Sequence, residues 1–126
     1  MYPLETNKRL KMTKRQIVYD KFHGRCSYCG CELNGKFHID HIEPIRRNSD
    51  GSCLNPQNES LENMNPSCPS CNIMKHSMTL EQFRESIKNF VTTLNKYNNQ
   101  YKFAKKYGLV SENDIEVKFY FETLND

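Results

Sequence analysis

An aspartate followed directly by a histidine, Asp40-His41, lies inside the apolar run Phe37-His38-Ile39-Asp40-His41-Ile42, and Pro44 stops any strand ladder just beyond it. Two C-x-x-C pairs flank the run, Cys26/Cys29 before it and Cys68/Cys71 after it, and the second leads straight into Asn72-Ile73-Met74-Lys75-His76. Hydrolysis of a phosphodiester needs an activated water, neutralisation of charge building on the phosphoryl oxygens, and stabilisation of the departing alkoxide. Imidazole, with an unperturbed pKa of ~6.5, is largely neutral at physiological pH and can take the water's proton. The Asp40 carboxylate and the Asn72 amide oxygen are hard donors that suit Mg²⁺ or Mn²⁺. An isolated Asp-His is more often a strand end with a capping carboxylate; beside the cysteine frame the catalytic reading is the stronger one.

The cysteines carry the second chemistry. Thiolates at Cys26, Cys29, Cys68 and Cys71 can complete a tetrahedral zinc site, each pair placing two sulfurs on one turn and the 38 intervening residues forming the loop it closes. Such zinc commonly contributes on the order of 10 kcal/mol to folding. A redox role is disfavoured by the presence of two pairs and by the lack of a βαβ pattern around either. Cys31 and Cys53 are surplus and read as free thiols, although Cys31 is close enough to Cys29 to substitute as a ligand.

The elements that must position these groups are legible in outline. Thr13 followed by Gln16 is a capping-box signal, and Ile17, Val18 and Phe22 supply an apolar face up to Gly24, which predicts a helix of about 10 residues. Residues 36–42 predict the first strand of a hairpin, with a short second strand around 63–66. The Asn-, Ser-, Gly- and Pro-rich segment 46–62 is a loop, long enough to be functional or mobile. Cys68-Pro69 opens a helix that puts Asn72 and His76 on one face. Thr79 and Gln82 repeat the capping box ahead of an amphipathic helix over about 80–96, and a shorter helix ends at Gly108. Ile115, Val117, Phe119 and Phe121 alternate with polar neighbours and predict a half-buried C-terminal strand. A strict pleat would aim Asp40 and His41 to opposite faces, so both can serve one phosphate only where the strand twists or ends.

Composition fits a small stapled domain. Of 126 residues 37% are apolar and 26% charged, poor in core material yet too rich in Phe, Tyr and Ile for disorder. No early window resembles a signal peptide and no apolar run approaches the roughly 18 residues of a membrane span, so the chain reads as soluble and cytoplasmic. The net charge of +3 is unevenly spread. Residues 1–25 hold seven basic against two acidic side chains, and the last 18 hold five acidic against one basic. A basic N-terminal face fits a phosphate-rich partner, and a solvated helix face explains it about as well.

Cys26-x-x-Cys29, Asp40-His41-Ile42-x-Pro44, Glu62-Asn63-Met64 and Cys68-x-x-Cys71-Asn72-x-x-Lys75, in that order, resemble the HNH endonuclease family, the zinc-containing branch of the ββα-metal nucleases. The likeness covers roughly residues 13–85, leaving a basic arm at 1–12 and an extension at 86–126 packed on the same domain. It implies an α+β fold: a ββα-metal core stapled by the four-cysteine zinc, with flanking helices and the C-terminal strand. It implies His41 as general base, Asp40 and Asn72 as ligands of a catalytic Mg²⁺ or Mn²⁺ beside the leaving 3′ oxygen, and Asn63 as the brace of the hairpin loop. The last motif position is histidine in many members, so this is the Asn variant; His76, one turn on, is a further candidate ligand, and His38 is a weaker catalytic candidate. Arg46, Arg47 and Lys75 are the expected phosphate contacts, with Lys14 and Arg15 giving longer-range attraction to DNA. The rival reading is a zinc-stapled, non-catalytic DNA-binding or adaptor module of a phage packaging or restriction system. A third is an interaction domain built on the 80–96 helix and the final strand, whose exposed edge pairs across a homodimer.

Overall fold

Thr13 starts the first element as its sequence dictates: its hydroxyl accepts from the Gln16 amide at 3.1 Å while the Gln16 side chain accepts from the Thr13 amide at 3.1 Å. The computed structural model describes residues 12–124, so the basic arm expected at 1–12 lies outside the described residues but for Met12. Helix α1 (Lys14–Asp20) is shorter than predicted, because the chain tightens into turns that end at Gly24 with φ +77°. A Cβ at Gly24 would press on the Tyr19 ring at 3.0–3.2 Å. Val18 turns its side chain into the core.

Two short strands follow, β1 (His38–His41) and β2 (Met64–Ser67), paired antiparallel with His38 opposite Ser67 and His41 opposite Met64. Helix α2 (Pro69–Lys75) leaves β2 at once, with the Cys68 sulfur capping it by accepting from the Cys71 amide at 3.4 Å. These three elements make the expected ββα unit. The loop joining the strands is held by asparagine side chains that stand in for backbone partners. Asn55 accepts from the Arg46 amide at 2.8 Å and donates to the Pro44 carbonyl at 2.9 Å, and Asn58 donates to the same carbonyl at 3.2 Å. Lys21, at the end of α1, donates to the Leu61, Glu62 and Met64 carbonyls and to Asn65 Oδ1 at 2.8–3.3 Å. Its ammonium thereby ties the helix to the entry of β2, and burial pushes its pKa below the usual lysine value, opposed by Glu62.

Helix α3 (Leu80–Tyr97) repeats the Thr-Gln capping box and sends Phe83 into the core, while Phe90 and Val91 farther along are each 40% exposed. Asn98 ends α3 and caps α4 (Asn99–Lys106) by accepting from the Tyr101 amide at 2.8 Å. The C-terminal strand predicted from alternation does not form. Residues 110–119 run without regular structure and α5 (Tyr120–Thr123) closes the described chain, so the strand edge expected to pair across a homodimer is absent there. The reason is packing: Phe119 is buried among Tyr28 and Phe83, with ring centroids 5.3 and 5.2 Å away, and the Tyr120 and Phe121 amides bond to Tyr28 and Ser27 carbonyls at 2.9 Å. The apolar alternation thus records aromatic anchors on the cysteine knuckle, with Ile115 left 77% exposed. Arg84 fixes the same segment, donating to the Val117 carbonyl at 2.7 Å and to the Glu122 carboxylate at 2.5 Å.

Candidate active site and metal centre

The knuckle at Cys26–Cys29 and the start of α2 bring four sulfurs together. Those of Cys26, Cys29, Cys68 and Cys71 all lie within 4.8 Å of one another, and Cys29 to Cys68 is 3.9 Å. Tetrahedral Zn–S bonds of about 2.3 Å require neighbouring sulfurs about 3.8 Å apart, so the donor set fits the ion in type and spacing. The Cys26 thiol is held down to about 4 by a hydrogen bond from Cys71 and by backbone amides at Cys29, Cys68 and Tyr28, against the opposing effect of burial. An amide cradle that favours thiolate is what a zinc ligand requires. Cys31 stays outside the four as an exposed thiol beside Cys29 and Cys68, pushed up to about 12 chiefly by desolvation. Cys53 is half-buried in the hairpin loop, 3.8 Å from Asn55 Oδ1.

A second site opens where β1 ends. A cleft of about 240 Å³ is lined by Asp40, His41, Pro44, Asn72 and His76 together with Ile39, Ile45 and Ser77. His41 is the last residue of β1, so the pleat that would separate it from Asp40 stops there and both side chains reach one cleft. Asp40 is buried and its Oδ2 accepts from the Tyr28 hydroxyl and pairs with Lys75 Nζ at 3.2 Å. Burial and the charge of Asp40 hold Tyr28 well above the ordinary phenol range, so it remains a donor. Lys75 also donates to the His41 carbonyl at 2.9 Å. Asn72 sits within α2, and its side chain makes no hydrogen bond to the described residues.

Lys75 corrects an expectation. Its side chain is 0% exposed and spent on Asp40 and His41, so it cannot reach a phosphate in this arrangement. The helical spacing that suggested a surface contact instead directs the ammonium inward, beneath the strand end. His38 is exposed at the opposite end of β1 and does not line the cleft. His76 does line it, at the exposed C-terminus of α2, with Nδ1 3.1 Å from Ser77 Oγ. Lys14, Arg46 and Arg47 are exposed. Arg15 is exposed too, but its guanidinium lies 3.9 Å over the Phe37 ring and donates to the Phe37 carbonyl at 2.8 Å. A larger groove of about 430 Å³ beside it, lined by residues of α1 with Gly35 and Phe37, contains no histidine or cysteine.

Asn63 occupies the hairpin closure. Its amide accepts from the Glu43 amide at 2.8 Å and donates to the Glu43 and Asn58 carbonyls at 2.8 and 2.6 Å. Tyr28 and Glu59 are the site residues that sequence reasoning missed. Tyr28 hides inside the first C-x-x-C pair, and Glu59, whose carboxylate lies 2.5 Å from His41 Nε2, is one of several polar residues in a loop without periodicity.

Residues 26–78 match the family model described as HNH endonuclease. This segment resembles an HNH endonuclease domain. The HNH segment contains both cysteine pairs, Asp40, His41, Asn63 and Asn72. The chain is also similar to the "SPbeta prophage-derived putative HNH endonuclease YoqL" of Bacillus subtilis (strain 168), 28% identical over 88 residues that cover 60% of this chain and 34% of that protein. The alignment thus spans about a third of that relative's length. No solved structure matches the chain. Among the described residues no helix is long and apolar enough to cross a membrane.

Proposed function

We propose that the HNH domain is a divalent-metal-dependent DNA endonuclease, with residues 13–85 as the nuclease unit and 86–126 as an extension packed on it. The observation that carries this reading is the single cleft lined by Asp40, His41 and Asn72. The donor set fits a hard cation: one buried carboxylate and an amide side chain with no protein partner among the described residues, at the edge of an open cleft. A Mg²⁺ or Mn²⁺ ion held by Asp40 and Asn72 would supply charge neutralisation at the scissile phosphate and its leaving oxygen. His41 takes the proton of the attacking water. Lys75 and Tyr28 hold the Asp40 carboxylate fixed in direction. Asn63 sets the loop that carries residue 43 close behind His41. Cys26, Cys29, Cys68 and Cys71 would hold a structural zinc, whose contribution would be to tie the knuckle to α2 and not to the reaction. Arg46 and Arg47, exposed on the loop, and Lys14 and Arg15 on α1 supply the attraction to the DNA backbone.

A non-catalytic DNA-binding module is the second reading, and the Asp40–Lys75 pair favours it, because the ammonium already neutralises the carboxylate. Nicking of supercoiled plasmid in Mg²⁺ or Mn²⁺, wild type against His41→Ala, separates the two. The enzyme reading expects cleavage by wild type and its loss in the variant, with DNA affinity retained. Binding without cleavage by the metal-loaded wild type would establish the module instead.

A further inference from the structure

His41 Nε2 lies 2.5 Å from Glu59 Oε1, with the imidazole 19% and the carboxylate 40% exposed. The contact joins residues 18 apart in sequence across the hairpin loop, and that loop is built to hold them together. The Asn63 amide bonds residue 43, two past His41, and with the same nitrogen it bonds the Asn58 carbonyl, one before Glu59. Asn58 in turn reaches the Pro44 carbonyl, and the Glu59 amide closes the short turn Pro56–Asn58 by bonding the Pro56 carbonyl at 3.0 Å. The loop's hydrogen bonds therefore fix the separation of His41 and Glu59 from both sides.

A neutral imidazole has one N–H and one bare nitrogen, and the partner of one nitrogen decides which is which. A carboxylate can only accept, so Glu59 holds the proton on Nε2 and leaves Nδ1 bare. We infer that Glu59 is the positioning residue of His41, fixing its ring and its tautomer so that Nδ1 receives the proton of the attacking water. The step balances: the water oxygen forms a bond to phosphorus, its proton passes to Nδ1, the bond from phosphorus to the 3′ oxygen breaks, and solvent returns a proton to that oxygen. The Glu59 charge then lies beside the imidazolium as it forms, the arrangement that stabilises a histidine base in its charged state. This inference rests on His41 being the base.

The test pairs kinetics with spectroscopy on the full zinc-loaded chain. Two-bond ¹H–¹⁵N spectra at one fixed pH, with the His41 signals assigned by their loss in His41→Gln, should show the proton on Nε2 in wild type. In Glu59→Ala both tautomers should appear. Plasmid nicking in Mn²⁺ should then lose about 10- to 100-fold in kcat with KM changed less than about 2-fold, and Glu59→Gln, which keeps an acceptor oxygen, should regain much of that loss. Faster nicking by Glu59→Ala would mean that the carboxylate shields His41, and an unchanged tautomer and kcat would mean that it does nothing; either overturns the inference. If His41→Ala itself nicks like wild type, the assignment of the base falls, which is a separate failure read from a separate variant.

Discussion

Replacing Lys75 by methionine removes the charge and keeps most of the aliphatic stem, so it isolates what the buried ammonium contributes. At the 3.2 Å separation from Asp40 Oδ2 and an effective dielectric constant of about 20, the Coulomb attraction is roughly 5 kcal/mol. Breaking a buried pair from one side typically costs about 3–5 kcal/mol, because the remaining charge stays desolvated and unpaired. Both side chains are almost wholly buried here, at 0% and 6% exposure, so screening by solvent takes little away. For a chain of 126 residues that loss corresponds to a fall in Tm of about 10–20 °C. Thermal and urea denaturation of the zinc-loaded protein would measure it. Lys75→Met combined with Asp40→Asn should recover much of the loss, since no lone charge is then left inside. Millimolar Mg²⁺ should also restore part of the Tm of the single variant, by binding the Asp40 carboxylate that the lysine has released. A loss under about 1 kcal/mol, or a double variant in which the two losses add, would refute the claim that this pair organises the strand end.

Three further outcomes follow from the same structure. Removal of zinc with a strong chelator, or Cys68→Ser, should abolish the cooperative unfolding transition, since the knuckle and α2 meet through those sulfurs; retained near-UV circular dichroism would contradict it. Lys21→Met deletes an ammonium shared by three carbonyls and Asn65 Oδ1 and should cost about 1–3 kcal/mol in urea denaturation, while Lys14→Met on the exposed face of α1 should cost less than about 0.5. Arg84→Ala should free the C-terminal segment, seen as faster hydrogen exchange at Phe119–Phe121 than at β1, because its bonds to Val117 and Glu122 are lost.

Much of the frame was legible because its signals are local. Both capping boxes, the proline after Cys68 and the paired cysteines each act over a few residues, and the elements they announced are present with ends shifted by a few positions. The hairpin was readable from apolar residues and Pro44, whereas the end of β1 at His41, which lets neighbouring side chains share a cleft, is a feature of the folded chain. What escaped depends on contacts far apart in sequence. Lys75 looks like a surface cation in any helical projection, and only the packing of α2 under β1 turns it to Asp40. Tyr28 is one residue of a knuckle until Asp40, Phe83 and Phe119 surround it. The C-terminal alternation misled for the same reason, since a period of two identifies a strand only where a ladder partner exists; here Phe119 is an anchor in an aromatic cluster and Tyr120 begins a helical turn.

The central claim is that Asp40 and Asn72 hold one divalent ion in the cleft beside His41. Isothermal titration of Mn²⁺ into the zinc-loaded protein tests it directly, with Asn72→Ala as the variant because it removes a ligand without leaving a buried charge behind. One Mn²⁺ per chain in wild type, weakened at least tenfold in Asn72→Ala and unchanged in His38→Ala, is the expected result. Equal Mn²⁺ affinity in wild type and Asn72→Ala would contradict the account.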